Sequence, residues 1–118
     1  MQNLSTDCIF CKIIQGTIST TIIAQNEHAI VIQDIAPKAP VHYLIIPKMH
    51  VPDIAHLTQD QYIVGAHLFA LAQQIGSGLP NKPDFRLIIN NGIGVGQSVF
   101  HLHMHLLAGM KHAEFSDV

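Results

Sequence analysis

The run His101-Leu102-His103-Met104-His105 places three histidines at strictly alternating positions. Imidazole titrates near neutral pH and serves as base, nucleophile or metal ligand. On an extended strand alternate side chains share one face, with Cα atoms roughly 6.5–7 Å apart. Three imidazoles so arranged can relay a proton or grip different parts of one ligand. They can also supply the three protein ligands of an open zinc site. An incidental polar strand face would account for one histidine more readily than for three in register. Directly upstream lies Gly92-Ile93-Gly94-Val95-Gly96-Gln97-Ser98. Its glycines let backbone approach a ligand closely, and free N–H groups in such a turn form an anion-binding concavity. No Gly-Lys-Ser/Thr follows, so this is not a nucleoside-triphosphate P-loop. Phosphate within reach of imidazole is the chemistry that results.

Those residues need a scaffold, and the sequence patterning predicts one. A short helix is expected over Cys8 to about Ile14, with Asp7 as its cap and Gly16 as its stop. Two strands around Thr21–Ala24 and His28–Ile32 are joined by a tight turn. Pro37 and Pro40 break the chain, and a third strand runs from Val41 to Ile46, stopped by Pro47. Thr58-Gln59-Asp60-Gln61 has capping-box form and opens a long helix to about Ile75, with Val64, Leu68, Leu71 and Ile75 facing the core. Phe85–Asn90 and Val99–Leu107 complete a five-stranded set, the last strand turning Phe100, Leu102, Met104 and Leu106 toward the long helix. This order predicts a single α+β domain over residues 1–118 with a mainly antiparallel sheet.

Composition narrows the function classes. The chain has 118 residues, 48% hydrophobic and 12% charged, enough apolar material for one packed core. The net charge is −2 and no basic run occurs, which argues against a nucleic-acid partner. No stretch reads as an export signal or a membrane span, so the cytoplasm is the expected compartment. Nine histidines are an unusual number; His28, His56, His67 and His112 read as surface or structural. On residue type alone, Asp34 reads as a local cap at a strand end and His42 as an ordinary buried histidine.

Taken together, five segments in order resemble the histidine-triad (HIT) family. They are Ile9-Phe10-Cys11-Lys12-Ile13-Ile14, the stretch from Asp34 to His42, Ile45-Ile46-Pro47-Lys48-Met49-His50, Gly96-Gln97-Ser98 and the triad itself. The resemblance covers about Cys8 to Gly109 and is strongest to the Hint-like branch, the nucleoside phosphoramidate hydrolases. It implies a HIT-like fold, a purine nucleoside monophosphate or its phosphoramidate as ligand, and a homodimer built on the long helix and a strand. It implies His103 as nucleophile, His105 as a phosphate-contacting partner, and His101 and His42 as histidines that orient the nucleophile. Asp34 would bind the ribose hydroxyls. Asn90, Gly96, Gln97 and Ser98 would contact phosphate, with Ser98 also assisting the leaving group. Ile9, Phe10, Ile13, Ile32 and Ile35 would line the slot for the base. No cofactor is required for this catalysis.

The two cysteines, Cys8 and Cys11, are spaced C-x-x-C, which admits metal or redox chemistry. Some bacterial members of the family carry the same two cysteines with His50 and His101, which implies a structural zinc. The alternative is a pair of reduced thiols. The chain departs from Hint-like proteins in its tail, which has no tryptophan; Phe115 is the available aromatic. Two other functions share these residues. One is a nucleotide-binding adaptor with incidental turnover, and the other is a zinc-dependent hydrolase using the triad as ligands.

Overall fold

The computed structural model describes residues 7–111; the tail features His112 and Phe115 lie outside them. Helix α1 (Ile9–Gln15) is followed by strands β1 (Ile22–Gln25), β2 (Ala29–Gln33) and β3 (Val41–Pro47). A 3-10 turn over Gln59–Gln61 leads into helix α2 (Ile63–Ser77), and β4 (Phe85–Ile88) and β5 (Met104–Ala108) close the sheet. All neighbouring strands are antiparallel, in the order β1-β2-β3-β5-β4. This is the expected α+β architecture. Among the described residues no helix is long and apolar enough to cross a membrane.

Strand alternation sorts the two faces of the sheet. Val31, Ile45, Met104 and Leu106 pack with Leu68 and Leu71 of α2 in the larger core. Ile30, Ile32, Leu44 and Ile46 point to the opposite face and pack against Phe10 and Cys11 of α1. His42 on β3 and His105 on β5 belong to this second face, because Leu44 pairs with His105 and His42 with Leu107. The long α2 therefore supports the sheet from behind, and the short α1 covers the face that carries the histidines.

Local signals explain the helices. At the start of the long helical region the Thr58 N–H donates to Gln61 Oε1 at 3.0 Å, the reciprocal half of a capping box. Regular α-helix begins only at Ile63. Helix α1 is capped by Cys8, whose sulfur accepts from the Cys11 N–H at 3.4 Å, and not by Asp7. It ends at Gly16 with φ +81°, a left-handed conformation that glycine adopts without a Cβ clash.

Strand β5 starts at Met104, later than the expected Val99, and β4 ends at Ile88 rather than Asn90. The β3–β5 ladder stops at the Ile45–Met104 pair. Two residues beyond Ile45, Pro47 ends β3 and has no N–H to donate to a ladder. Side-chain bonds hold residues 97–103 instead: the Gln97 amide donates to the carbonyls of Pro52 (2.7 Å) and Val99 (3.1 Å). The Leu102 N–H bonds to the Val51 carbonyl at 2.7 Å. Leu102 still enters the α2 core, but Phe100 is half exposed and does not join it.

Leu68 is almost fully buried between α2 and the sheet. Leu68→Ala is expected to destabilise the fold by ~2–5 kcal/mol through lost burial and the cavity left behind. Urea denaturation of both proteins checks this.

Candidate active site

The side chains that could act lie on the α1 face of the sheet. A cavity of about 290 Å³ opens there, lined by Ile9, Phe10 and Ile13 of α1, by Ile32, Asp34 and Ile35, and by Asn90, Gly96, Ser98, His103 and His105. Eleven of the residues expected to bind nucleotide thus surround one space. Thr20, Gln33, Leu44 and Val99 also line it, and residue type alone did not single them out. The cavity is near the small end of ligand pockets, which span roughly 300–1,000 Å³. Ile35 is 99% exposed at its rim, an apolar surface with no protein cover.

His103 is buried, and its Nδ1 lies 2.7 Å from the His101 carbonyl oxygen. A carbonyl only accepts, so Nδ1 carries the proton and Nε2 keeps its lone pair. The edge of Phe10 rests on the same ring at 5.1 Å between centroids. His103 is therefore held through its Nδ1 side, while the ring itself lines the cavity.

A second hydrogen-bond chain sets the state of His105. The Lys38 N–H donates to His42 Nδ1 at 3.0 Å, so the proton of His42 sits on Nε2. His42 Nε2 is 2.9 Å from His105 Nδ1 and 3.4 Å from Asp34 Oδ2. His105 Nδ1 must accept, which puts its own proton on Nε2 as a donor. Burial pushes the His105 pKa down to about 4, aided by the nearby His103 and His42. His42 is lowered too, by burial first, while Asp34 opposes the shift. At neutral pH these are uncharged donors and acceptors. Lys38 was not anticipated; its contribution is a backbone N–H, which no side-chain pattern announces. Asp34 fills its capping role as well, since Oδ1 accepts from the Ala36 N–H at 2.8 Å.

The glycine loop differs from the expected open anion cradle. Gly92 and Gly96 have φ of +102° and +99°, and the loop closes on itself. The N–H groups of Val95 and Gln97 turn back to the Gly92 carbonyl, and that of Gly96 to the Ile93 carbonyl. Those three are spent within the turn. The Gln97 side chain is buried and braces the loop, with Oε1 accepting from the Gly92 N–H at 2.7 Å, and it does not line the cavity. The loop reaches the cavity through Gly96 and Ser98.

Behind His103 lies a second cluster. The sulfurs of Cys8 and Cys11 and Nδ1 of His50 and His101 all lie within 4.8 Å of one another. Individual separations are 3.3 Å for Cys8–His101, 3.2 Å for Cys11–His50, 3.5 Å for Cys11–His101 and 3.1 Å for His50–His101. Tetrahedral zinc with ordinary Zn–S and Zn–N lengths has edges of about 3.3–3.8 Å. The donor set fits. His101 Nε2 is committed to the Pro47 carbonyl at 2.7 Å, which leaves Nδ1 unprotonated toward the cluster. The other group of potential ligands, Asp34, His42 and His105, does not fit in the same way. There the Lys38 N–H holds His42 in the tautomer whose Nε2 is protonated. The triad is also divided between these groups: His101 belongs to one, His105 to the other and His103 to neither. Among the described residues it forms no common metal site.

Of the remaining histidines, His28 stacks on His67 at 3.6 Å between ring centroids, and His56 bonds Asp53 at 2.6 Å. None of these residues is part of the cavity lining.

Comparisons with known proteins agree with this geometry. The family profile described as "Scavenger mRNA decapping enzyme C-term binding" matches residues 7–117. A HIT-like protein of Synechocystis sp. is 40% identical over 106 residues, 90% of this chain and 93% of that one. A HIT-like protein of Chlamydia trachomatis is 40% identical over 101 residues, 86% of this chain and 91% of its own. A HIT family hydrolase from Clostridium thermocellum superposes with TM-score 0.85 at 39% identity, over 92% of this chain and 95% of the other. A histidine triad protein from Clostridium difficile gives 0.84 at 35% identity, over 91% and 94%. The chain belongs to the histidine-triad family, and its fold is that of HIT family hydrolases.

The His105 pKa has a consequence for stability. In the unfolded chain His105 titrates near 6.5, in the fold near 4. Between these values the unfolded state binds the extra proton, so this contribution is complete above about pH 6.5 and is lost as pH falls toward 4. Near pH 5 the variant His105→Asn is expected to show a slope of stability against pH lower by up to about 1.4 kcal/mol per pH unit. Denaturant unfolding at pH 7, 6 and 5 measures it; identical slopes would remove His105 as the source.

Proposed function

We propose that this protein is a nucleotide-binding hydrolase of the Hint-like branch. It cleaves the P–N bond, or a related bond, of purine nucleoside 5′-phosphoramidates through a nucleotidyl-histidine intermediate. The observation that supports this best is the pairing of opposite tautomers at one cavity. His103 offers an Nε2 lone pair, and His105 offers an Nε2–H.

The residues divide the reaction as follows. The purine slides between Ile9, Ile13, Ile32 and Ile35, and the ribose hydroxyls meet Asp34. The α-phosphate faces Asn90, Gly96 and Ser98. His103 Nε2 attacks phosphorus, forming one P–N bond while the bond to the departing amine breaks. Entry of the phosphate anion favours a second proton on His105, and the amine leaves with a proton from this imidazolium, assisted by the Ser98 hydroxyl, which returns His105 to its neutral form. Water then attacks phosphorus, releases His103 and returns a proton to His105. Splitting one displacement into two is the general gain of a covalent intermediate. His42 and His101 orient the reacting pair. No step needs a metal, and the Cys8/Cys11/His50/His101 cluster holds a structural zinc. Thiolates committed to zinc rather than to a disulfide accord with action in the cytoplasm.

We further assign a homodimer. Tyr62 and Phe69 on the α2 side are each 65% exposed, and Ile63, Phe85 and Leu87 add apolar surface along α2 and the edge strand β4. Exposed apolar side chains of this kind suit a two-fold partner of the same chain.

Hydrolysis of adenosine 5′-phosphoramidate to AMP tests the chemistry. Wild type should turn over with and without chelator, and His103→Ala should fall to background. His105→Asn should lose ~10²–10⁴-fold in kcat. Equal, negligible rates in wild type and His103→Ala with AMP still bound would leave a binding module, and abolition by chelator would reinstate metal-dependent chemistry. For assembly, light scattering should give twice the chain mass for wild type and the single mass for Phe69→Glu. A monomeric wild type would refute the dimer.

A further inference from the structure

We propose that the Cys8/Cys11/His50/His101 cluster is a positioning element for the nucleophile. Filling it with a divalent zinc-like cation sets the orientation of His103 and shapes the base end of the slot. The claim about the slot rests on the nucleotide-binding reading; the claim about His103 does not.

Two physical links join the cluster to the site. The first is His101, which takes part in both. Its imidazole contributes Nδ1 to the cluster, and its carbonyl accepts the Nδ1–H of His103 at 2.7 Å. Any rotation of the His101 backbone redirects the bond that holds His103 in one tautomer. The second is α1. It has only seven residues, and isolated helices so short are unstable in water. Its first turn is held through Cys8 and Cys11, and between them Phe10 sets its ring edge against both His101 (5.8 Å) and His103 (5.1 Å). Ile9 and Ile13 of the same helix line the nucleotide cavity. Cluster, helix, ring and nucleophile thus form one continuous packed unit.

The protein bonds within the cluster are weak by themselves. Sulfur is a poor hydrogen-bond partner, and two imidazole nitrogens sit 3.1 Å apart. A cation would replace these contacts with four strong bonds of fixed direction. It also has a way in. A second cavity, about 400 Å³, is lined by Cys8 and His50 together with Asp7, Ser98, Val99 and Phe100, so the cluster borders open solvent.

The test titrates Zn²⁺ into full-length protein stripped by chelator. It follows the ¹⁵N shifts of the His103 ring and the Kd for AMP, with far-ultraviolet circular dichroism as a check on folding. One equivalent of zinc should drive His103 into a single Nδ1–H form and tighten AMP binding on the order of tenfold, as expected when a sparsely populated competent state becomes dominant. His50→Ala should lose both effects, and His50→Cys, which restores a fourth ligand, should regain both. Zinc binding with unchanged His103 shifts and unchanged AMP affinity would overturn the proposal, as would failure to bind zinc. Global unfolding on stripping would also overturn it, in favour of a purely structural metal. A zinc-dependent His103 signal in a protein that binds no AMP would refute the nucleotide reading and leave the positioning of His103 standing.

Discussion

The hydrogen bond from the His101 ring to the Pro47 carbonyl joins the two halves of the molecule that matter for chemistry. Pro47 is the last residue of β3, and as a proline it cannot donate to a neighbouring strand. The ladder between β3 and β5 accordingly stops at Ile45 and Met104. A side chain then continues the connection: His101 Nε2–H reaches the Pro47 carbonyl at 2.7 Å. That bond ties residues 101–103, which form no strand, to the end of β3. It also leaves the His101 carbonyl to accept from His103, and His101 Nδ1 to face the cysteines. Removing it would free His103 and the cysteine cluster together.

The same residue type serves two opposite ends in this site, and the partner on the far ring nitrogen decides which. His101 donates from Nε2 to a carbonyl and so offers a bare Nδ1 to a sulfur-rich cluster. His42 accepts at Nδ1 from the Lys38 N–H and so offers a proton from Nε2 to His105. Both are imidazoles among potential metal ligands. One is arranged to coordinate and the other to pass on hydrogen-bond polarity. Proximity alone does not distinguish them; the complete hydrogen-bond inventory does.

This also explains how far the site was legible in the sequence. The short apolar runs His28–Ile32 and Val41–Ile46, the Thr58 cap and the Val64/Leu68/Leu71 stripe are local patterns, and the elements they predict are present. The face shared by His42 and His105 follows from the same periodicity once the register is known. The start of β5 was not legible, because it depends on a proline fifty-odd residues upstream, on the strand next door. The motif marks Gln97 as a ligand contact, yet its side-chain amide is consumed by Gly92, Pro52 and Val99. The glycines signalled an unusual backbone correctly, with positive φ at Gly92 and Gly96. They could not reveal that the loop would bond its own N–H groups. Asp34 combines a local cap with a place in the cavity wall: one oxygen caps the turn at Ala36, and the other faces His42.

The cavity's charge bears on turnover under the proposed chemistry. Among the described residues no lysine or arginine lines it, and the Lys38 ammonium is bonded to the Ala36 carbonyl. His105 is neutral at physiological pH because burial lowers its pKa to about 4. A phosphate would therefore meet neutral donors, whose hydrogen bonds are roughly half as strong as charge-assisted ones. An anion entering beside His105 and His42 favours their protonated forms, so affinity for the phosphate and acidity at His105 develop together. Charge would appear only when ligand is present, next to the atom that must be protonated. A fixed arginine would bind substrate and product alike throughout the cycle. A histidine that loses its proton to the departing amine weakens its own hold on the phosphate, which suits an enzyme that must release a nucleoside monophosphate at the end of each turnover.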